Sequence, residues 1–500
     1  MKILKKSKLF IINSIIIICS SLFIEIICAI FDIFLANKIG AEAIGVYGLI
    51  MSIYMFTVTL ATSGINLAAT KVISEEIELG NDSTIPNVVK RCFIYSLITG
   101  GLSFILLILF TPYICEHFLM NQVDSRVLYT LAVSLPFVSA TSAINGYFLA
   151  KRHVFKTSIS QIASEIIRIG VTFMLVCFLF PNNVNSSALA IIIGNTLSDI
   201  VLFIFLYLAY IKEKKHSKKT LATPKLTRRI LNISVPIAIT SYIRSGLNTL
   251  KQIIIPIRLK LSGISYKKAI SEYGIICGMA MPVIMFPSVI VYSYSSLLVP
   301  EFSRFSVHED KNILKKNIAK MFKITLHFSI AVAGILMCFG KDIGNLLYSK
   351  NDASWYIKIM APLIVIMYLD NVIDSILKGL GKQLSVMYCN ILDLIISVSF
   401  IYFLLPIFGS TGYIIVMYIS EILNYSISVI TLFKEIDLKF KYFEWVILPV
   451  ICITSSIILT SIFNFSYLST LSSLILKILI CIVCYIALLL ISSKKEKLIF

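Results

Sequence analysis

Apolar residues run through this chain in long blocks, with polar breaks between them. Ala43–Thr70, Cys92–Cys115, Tyr273–Pro300 and Trp445–Leu476 each proceed without one charged side chain. A helix needs about 20 apolar residues to cross about 30 Å of hydrocarbon, so each block is long enough to span a bilayer. Lipid offers no hydrogen bonds to a backbone, which makes helices the expected element. Dividing the chain at its polar breaks predicts about fourteen spans, among them 9–36 (span 1), 43–69 (span 2), 230–257 (span 7) and 355–377 (span 10). The N-terminal stretch, with Lys2, Lys5, Lys6 and Lys8 ahead of an apolar run, has the look of a signal peptide. No small-residue cleavage pattern follows, and the expectation is an uncleaved first span.

Composition agrees. Of 500 residues, 58% are hydrophobic and 14% charged, and the mean hydropathy is +0.91. Soluble domains carry roughly 25% charge. Disorder and a disulfide scaffold are excluded, since apolar content is high and 11 cysteines are diluted over the chain. The net charge of +19 has a topological address. With both termini cytoplasmic, 32 basic residues fall inside, 8 outside and five within spans. The positive-inside rule therefore predicts a multi-pass plasma membrane protein with inner termini. The densest cluster, Lys212 to Arg229, reads as an anchor to anionic membrane lipids rather than a nucleic-acid patch.

The same cluster divides two sets of six spans. Tyr273-Gly274 repeats Tyr47-Gly48 after 226 positions, Pro362 repeats Pro136 after 226, and Asn232 repeats Asn13 after 219. The expected fold class is an all-α polytopic membrane protein: an N-lobe (1–211, helices 1–6), a basic cytoplasmic linker (212–229), a pseudo-symmetric C-lobe (230–433, helices 7–12) and a C-terminal helix pair with tail (434–500). Parallel repeats of this kind bind at the lobe interface and alternate in access.

An ionisable group near the bilayer centre costs about 2.5–3.5 kcal/mol, so such groups are functional candidates. Glu25 and Asp32 lie seven residues apart on one face of span 1; Arg244 and Lys251 lie seven apart on one face of span 7. Each basic residue follows its acidic counterpart by 219 positions. These four, with Asn248, are expected to line a substrate-binding or gating cavity; a fixed ion pair between lobes and a misplaced span end are the alternatives. Glu165 and Arg168 are spaced to neutralise each other. Asp370 and Asp374, i and i+4, suit a cation or proton coupling site (Na+ or H+), or Asp374 simply pairs with Lys378. Asp199, Asp393 and Glu421 are lone acids. No histidine or cysteine spacing suggests a metal, no phosphate-binding loop is present, and neither a cofactor nor an enzymatic activity is expected.

Four stretches carry a family resemblance. They are FDIFLANKIGAEAIGVYGLI (from Phe31, with Gly40, Glu42, Gly45, Tyr47 and later Lys71), NGYFLAKRHVFKTSISQIASEIIRIG (from Asn145), SEYGIICGMAMPVIMFPSVIVYSYSSLLVPEFSR (from Ser271) and YIKIMAPLIVIMYLDNVIDSILKGLGKQ (from Tyr356). The chain resembles the stage V sporulation protein B/oligosaccharide flippase family of the multidrug/oligosaccharidyl-lipid/polysaccharide exporter superfamily. The resemblance implies a fourteen-helix flippase of an undecaprenyl-pyrophosphate-linked saccharide, such as lipid II, in cell wall or spore cortex synthesis (sporulation). Its partners would be lipid-linked oligosaccharide and glycan synthesis enzymes. The family has arginines where this chain has Glu25 and Asp32, and in span 7 an acid near Lys251; the charges are exchanged between lobes. The competing readings are a cation-coupled multidrug exporter, a membrane glycan polymerase or ligase, and a non-transporting scaffold. The last two fit poorly, since the outer loops are short and the intramembrane charges match across the repeat.

Overall fold

The apolar runs become helices, and two of them pass through a glycine bend without a loop. The computed structural model describes residues 2–62, 64–179, 184–214, 226–293, 295, 311–348, 353–436, 440–462 and 469–497. Among these the elements are helices, and no strand occurs. They are α1 (Lys2–Thr62), α2 (Ile65–Glu78), α3 (Ile85–Tyr113), α4 (Ser125–Ala150), α5 (Val154–Met174), α6 (Val184–Lys214), α7 (Leu226–Lys260), α8 (Tyr266–Tyr273), α9 (Met281–Met285), α10 (Lys311–Leu347), α11 (Ala353–Met360), α12 (Leu363–Gly379), α13 (Gln383–Glu435), α14 (Leu448–Ile462) and α15 (Thr470–Lys497).

Among the described residues, ten helices are long and apolar enough to cross a membrane, or eleven with the bent pair α11–α12. Fourteen spans remain consistent with this. α1 runs through the expected spans 1 and 2 and bends at Gly40 (φ 83°). The 53-residue α13 holds the expected spans 11 (383–405) and 12 (412–433) and bends at Gly409 (φ 60°). Positive φ is strained for any side chain bearing Cβ, so glycine is the residue that permits these bends. The fold is all-α, with helices long and apolar enough to cross a membrane.

The chain forms two compact units: residues 1–34 with 42–256, and residues 35–41 with 257–500. The first has a core around α2, α3, α4 and the C-terminal end of α6, with Ile65, Val72, Val88, Cys92, Ile144 and Phe148 buried. α7, which the repeat places in the second set of six, packs in the first unit as far as Pro256. Its Leu226 and Ile230 join that core. Higher up, Tyr242 Oη donates to the Leu60 carbonyl at 3.2 Å and Thr249 Oγ1 to the Ser52 carbonyl at 2.8 Å. Rising number on α7 meets falling number on α1 and α2, so the helices are antiparallel. At Gly64 (φ 71°) an added Cβ would stand 2.4 Å from the Ser234 carbonyl oxygen, so close approach and backbone twist both demand glycine there.

In the second unit, α12 is anchored by Tyr368 Oη, which donates to the Ile284 carbonyl at 2.8 Å. α10 holds the C-terminal pair. Tyr485 Oη donates to the His327 carbonyl at 2.7 Å, and Phe322 packs near Trp445.

Candidate functional site

Span 1 lies beside the expected span 5 (158–180) in constant register. Ser20 Oγ meets Ser158 Oγ at 3.2 Å, and the Phe34 and Phe173 rings are 5.4 Å apart, so α1 and α5 run parallel. Between those contacts, Glu25, Cys28 and Asp32 form one stripe at helical spacing. Opposite stand Glu165 and Arg168. Arg168 Nε donates to Glu165 Oε2 at 2.6 Å, and Arg168 Nη2 lies 3.1 Å from Cys28 Sγ. Glu25 and Asp32 are exposed on this stripe. The side chain that reaches the Glu165–Arg168 pair is the one between them, Cys28. Its place on the Glu25–Asp32 stripe is visible in the sequence.

A second polar group follows on span 2. Tyr54 Oη donates to Asp199 Oδ2 at 2.5 Å and is 2.5 Å from Ser134 Oγ. Asn195 Nδ2 donates to Tyr47 Oη at 3.3 Å. Asp199, a lone acid by sequence, gains its partner Tyr54 from 145 positions away. No local spacing announces such contacts.

Arg244, Asn248 and Lys251 share one face of α7; the first two are exposed and Lys251 is half-buried. The opposite face is the packed one. It carries Tyr242, Ser245, whose Oγ accepts from Thr59 Oγ1 at 3.1 Å, and Gly246, set against the Phe56 ring. The α7 stripe thus presents two cations and an amide on a face that the α1 contacts leave open.

In the second unit, Asp370 is 8% exposed, and Asn424 Nδ2 donates to its Oδ2 at 2.8 Å. Asp374 Oδ2 lies 3.5 Å from Lys378 Nζ and 3.4 Å from Asn390 Nδ2. The Lys378 contact that spacing allows is made. Asp370 Oδ1, Asp374 Oδ1, Asn424 Oδ1 and Ser428 Oγ are all buried without a hydrogen-bond partner. Buried oxygens normally have partners, and these could accept a cation or a shared proton. Asn424 and Ser428 lie one helical turn apart on α13, and sequence gives no reason to connect them with Asp370. Asp393 accepts from Ser420 Oγ, which is 2.7 Å from Ser397 Oγ. Among the described residues no group of three or more His, Cys, Asp or Glu could hold a metal ion.

Comparison with known proteins follows this geometry. The family model "Polysaccharide biosynthesis protein" matches residues 10–306, and the MatE model matches residues 259–403. Stage V sporulation protein B of Bacillus subtilis (strain 168) is 22% identical over 450 residues, 87% of this chain and 86% of the relative. The solved structure of lipid II flippase MurJ in an inward closed conformation superposes with a TM-score of 0.74 at 14% identity, covering 98% of this chain and 100% of that one. An inward-facing multidrug resistance MATE transporter of the MOP superfamily superposes with a TM-score of 0.68 at 13% identity, covering 82% and 93%. The likeness in structure carries the fold, and the family match carries the class. The chain belongs to the polysaccharide biosynthesis protein family.

Proposed function

We propose that this chain moves an undecaprenyl-pyrophosphate-linked saccharide, a lipid II-like peptidoglycan precursor or a polysaccharide unit, from the inner to the outer leaflet by alternating access. The work belongs to cell wall or spore cortex synthesis, in a plasma membrane with both termini on the cytoplasmic side. One observation carries the reading: Arg244 and Asn248 are exposed on one face of α7, and half-buried Lys251 lies on that same face. An exposed guanidinium within a span is costly, and a visiting anion offsets that cost. A pyrophosphate suits Arg244 and Lys251, because guanidinium binds phosphate oxygens in bidentate fashion and ammonium adds a point charge. Stage V sporulation protein B and the MurJ fold support this substrate class. On the same reading, the carboxylates at Glu25 and Asp32 face the amine or hydroxyl groups of the cargo or gate its passage. The test is reconstitution in liposomes with fluorescent lipid II, scored for leaflet exchange; no acceleration over empty liposomes contradicts the lipid II assignment.

A second reading rests on Asp370 with Asn424 and Ser428. Their orphaned oxygens suit a coupling ion, Na+ or H+, with Asp374 near the site. Such coupling serves a flippase or a multidrug exporter of the same superfamily. Substrate-dependent ion flux in the same liposomes separates the two: efflux of cationic drugs without lipid II exchange favours the exporter.

A further inference from the structure

Far from the intramembrane charges, the first two turns of α7 are fastened to the first unit by a polar clasp. Arg229 Nη1 donates to Glu76 Oε1 at 2.7 Å, and Arg229 Nη2 donates to Glu75. Glu76 is 4% exposed and is held from its other side by Thr84 Oγ1 at 2.9 Å and Asn81 Nδ2 at 3.3 Å. Beside the clasp, Arg91 donates to Thr227 Oγ1. Below it, Leu226 and Ile230 enter the cluster that contains fully buried Cys92, Ile73 and Val88. The clasp is one guanidinium on two carboxylates. Around it Arg91 and Arg228 are exposed, so the site is charged and reachable from the side that the basic count assigns to the cytoplasm.

We propose that the head of α7 is a latched lid on this end of the unit. A phosphate-bearing headgroup in the adjoining leaflet opens it by taking Arg229 from Glu75 and Glu76. Phosphate competes well with carboxylate for guanidinium, and Arg91 and Arg228 supply further donors for it. The apolar part of the lid is small, Leu226 and Ile230 chiefly, so the clasp decides whether it stays shut. Opening uncovers Cys92. The latch goes beyond the flippase reading and stands without it, since it asks only for a phosphate ester, whatever that ester carries.

Cys92 is a built-in reporter. The full chain in phosphatidylcholine vesicles is treated with a maleimide, and modification of Cys92 is followed by peptide mass spectrometry, with buried Cys115 and Cys389 as controls. Losing a charged hydrogen bond should raise the Cys92 rate about tenfold in Glu75→Gln/Glu76→Gln, and less in Glu75→Gln alone. Inorganic pyrophosphate should raise it in the unsubstituted protein, as should phosphatidylglycerol in the vesicles. Acceleration by phosphatidylglycerol alone assigns the membrane lipid as the source; acceleration by both assigns the phosphate group itself. An unchanged Cys92 rate in the double variant overturns the latch. Equal acceleration at Cys92, Cys115 and Cys389 signals general loosening and overturns the lid. A fast double variant with no response to either phosphate source overturns the trigger.

Discussion

Arg168 Nε lies 2.6 Å from Glu165 Oε2, and Arg168 Nη2 lies 3.1 Å from Cys28 Sγ. One cation therefore holds both Glu165 of its own helix and Cys28 of α1. Removing it should do more harm than removing Cys28 alone. Arg168→Met should destabilise the protein by about 1.5–3 kcal/mol, because it takes a charged hydrogen bond from Glu165. Arg168→Met/Glu165→Gln should recover part of that loss. Thermal unfolding in detergent reads both. A double variant no better than Arg168→Met contradicts the shared-cation account.

Gly64 and Gly40 both have positive φ but differ in surroundings. Gly40 has nothing within 4 Å of an added Cβ, whereas Gly64 has the Ser234 carbonyl oxygen at 2.4 Å. Gly40→Ala should cost about 1–3 kcal/mol for backbone strain alone. Gly64→Ala should cost about 2–4 kcal/mol, since α7 must also move away from span 2. Equal melting temperatures for the two variants contradict the α7 packing described above.

The clasp at Glu76 has a pH signature. Burial raises its carboxyl, but hydrogen bonds from Thr84, Arg229 and Asn81 and the Arg229 charge outweigh burial and hold it below the ordinary value of 4.5. A depressed acid contributes stability that is present above its unfolded value and lost as pH falls through its folded one. The Cys92 rate divided by that of exposed Cys338 at the same pH, which removes the loss of thiolate, should therefore be flat from pH 7 to about 5 and should rise only below about 4.5. A rise near pH 6 would mean that another group controls the lid.

Asp370→Asn keeps the shape of the site and removes its charge. Under the coupling reading, the variant should transport at a rate that no longer responds to an imposed Na+ or H+ gradient. Asp374→Asn removes an i,i+4 contact with a half-exposed Lys378 and should cost less than about 1 kcal/mol. A normal gradient response in Asp370→Asn contradicts the assignment.

Much of the scaffold is legible in the apolar runs, because a bilayer imposes both length and helicity. The Glu165–Arg168 and Asp374–Lys378 contacts were readable from spacing, since residues one turn apart on a helix must meet. Helix ends were not: α1 passes Gly40 and α13 passes Gly409 as bent helices, which a polar break in sequence cannot distinguish from a loop. The Tyr54–Asp199 and Asp370–Asn424 bonds join residues 145 and 54 positions apart, and periodicity says nothing about such partners. The packing of α7 on span 2 was hidden for the same reason. Its evidence is a run of hydroxyl-to-carbonyl bonds between serines, threonines and a tyrosine, residues common in any membrane helix.

The most direct measurement is lipid II exchange across liposomes that contain the purified protein. The account predicts faster loss of the fluorescent lipid from the inner leaflet than in protein-free liposomes. It predicts further that Arg244→Ala/Lys251→Ala slows that loss at least about tenfold while the protein stays folded. A rate equal to protein-free liposomes, or a double variant as fast as the unsubstituted chain, contradicts it.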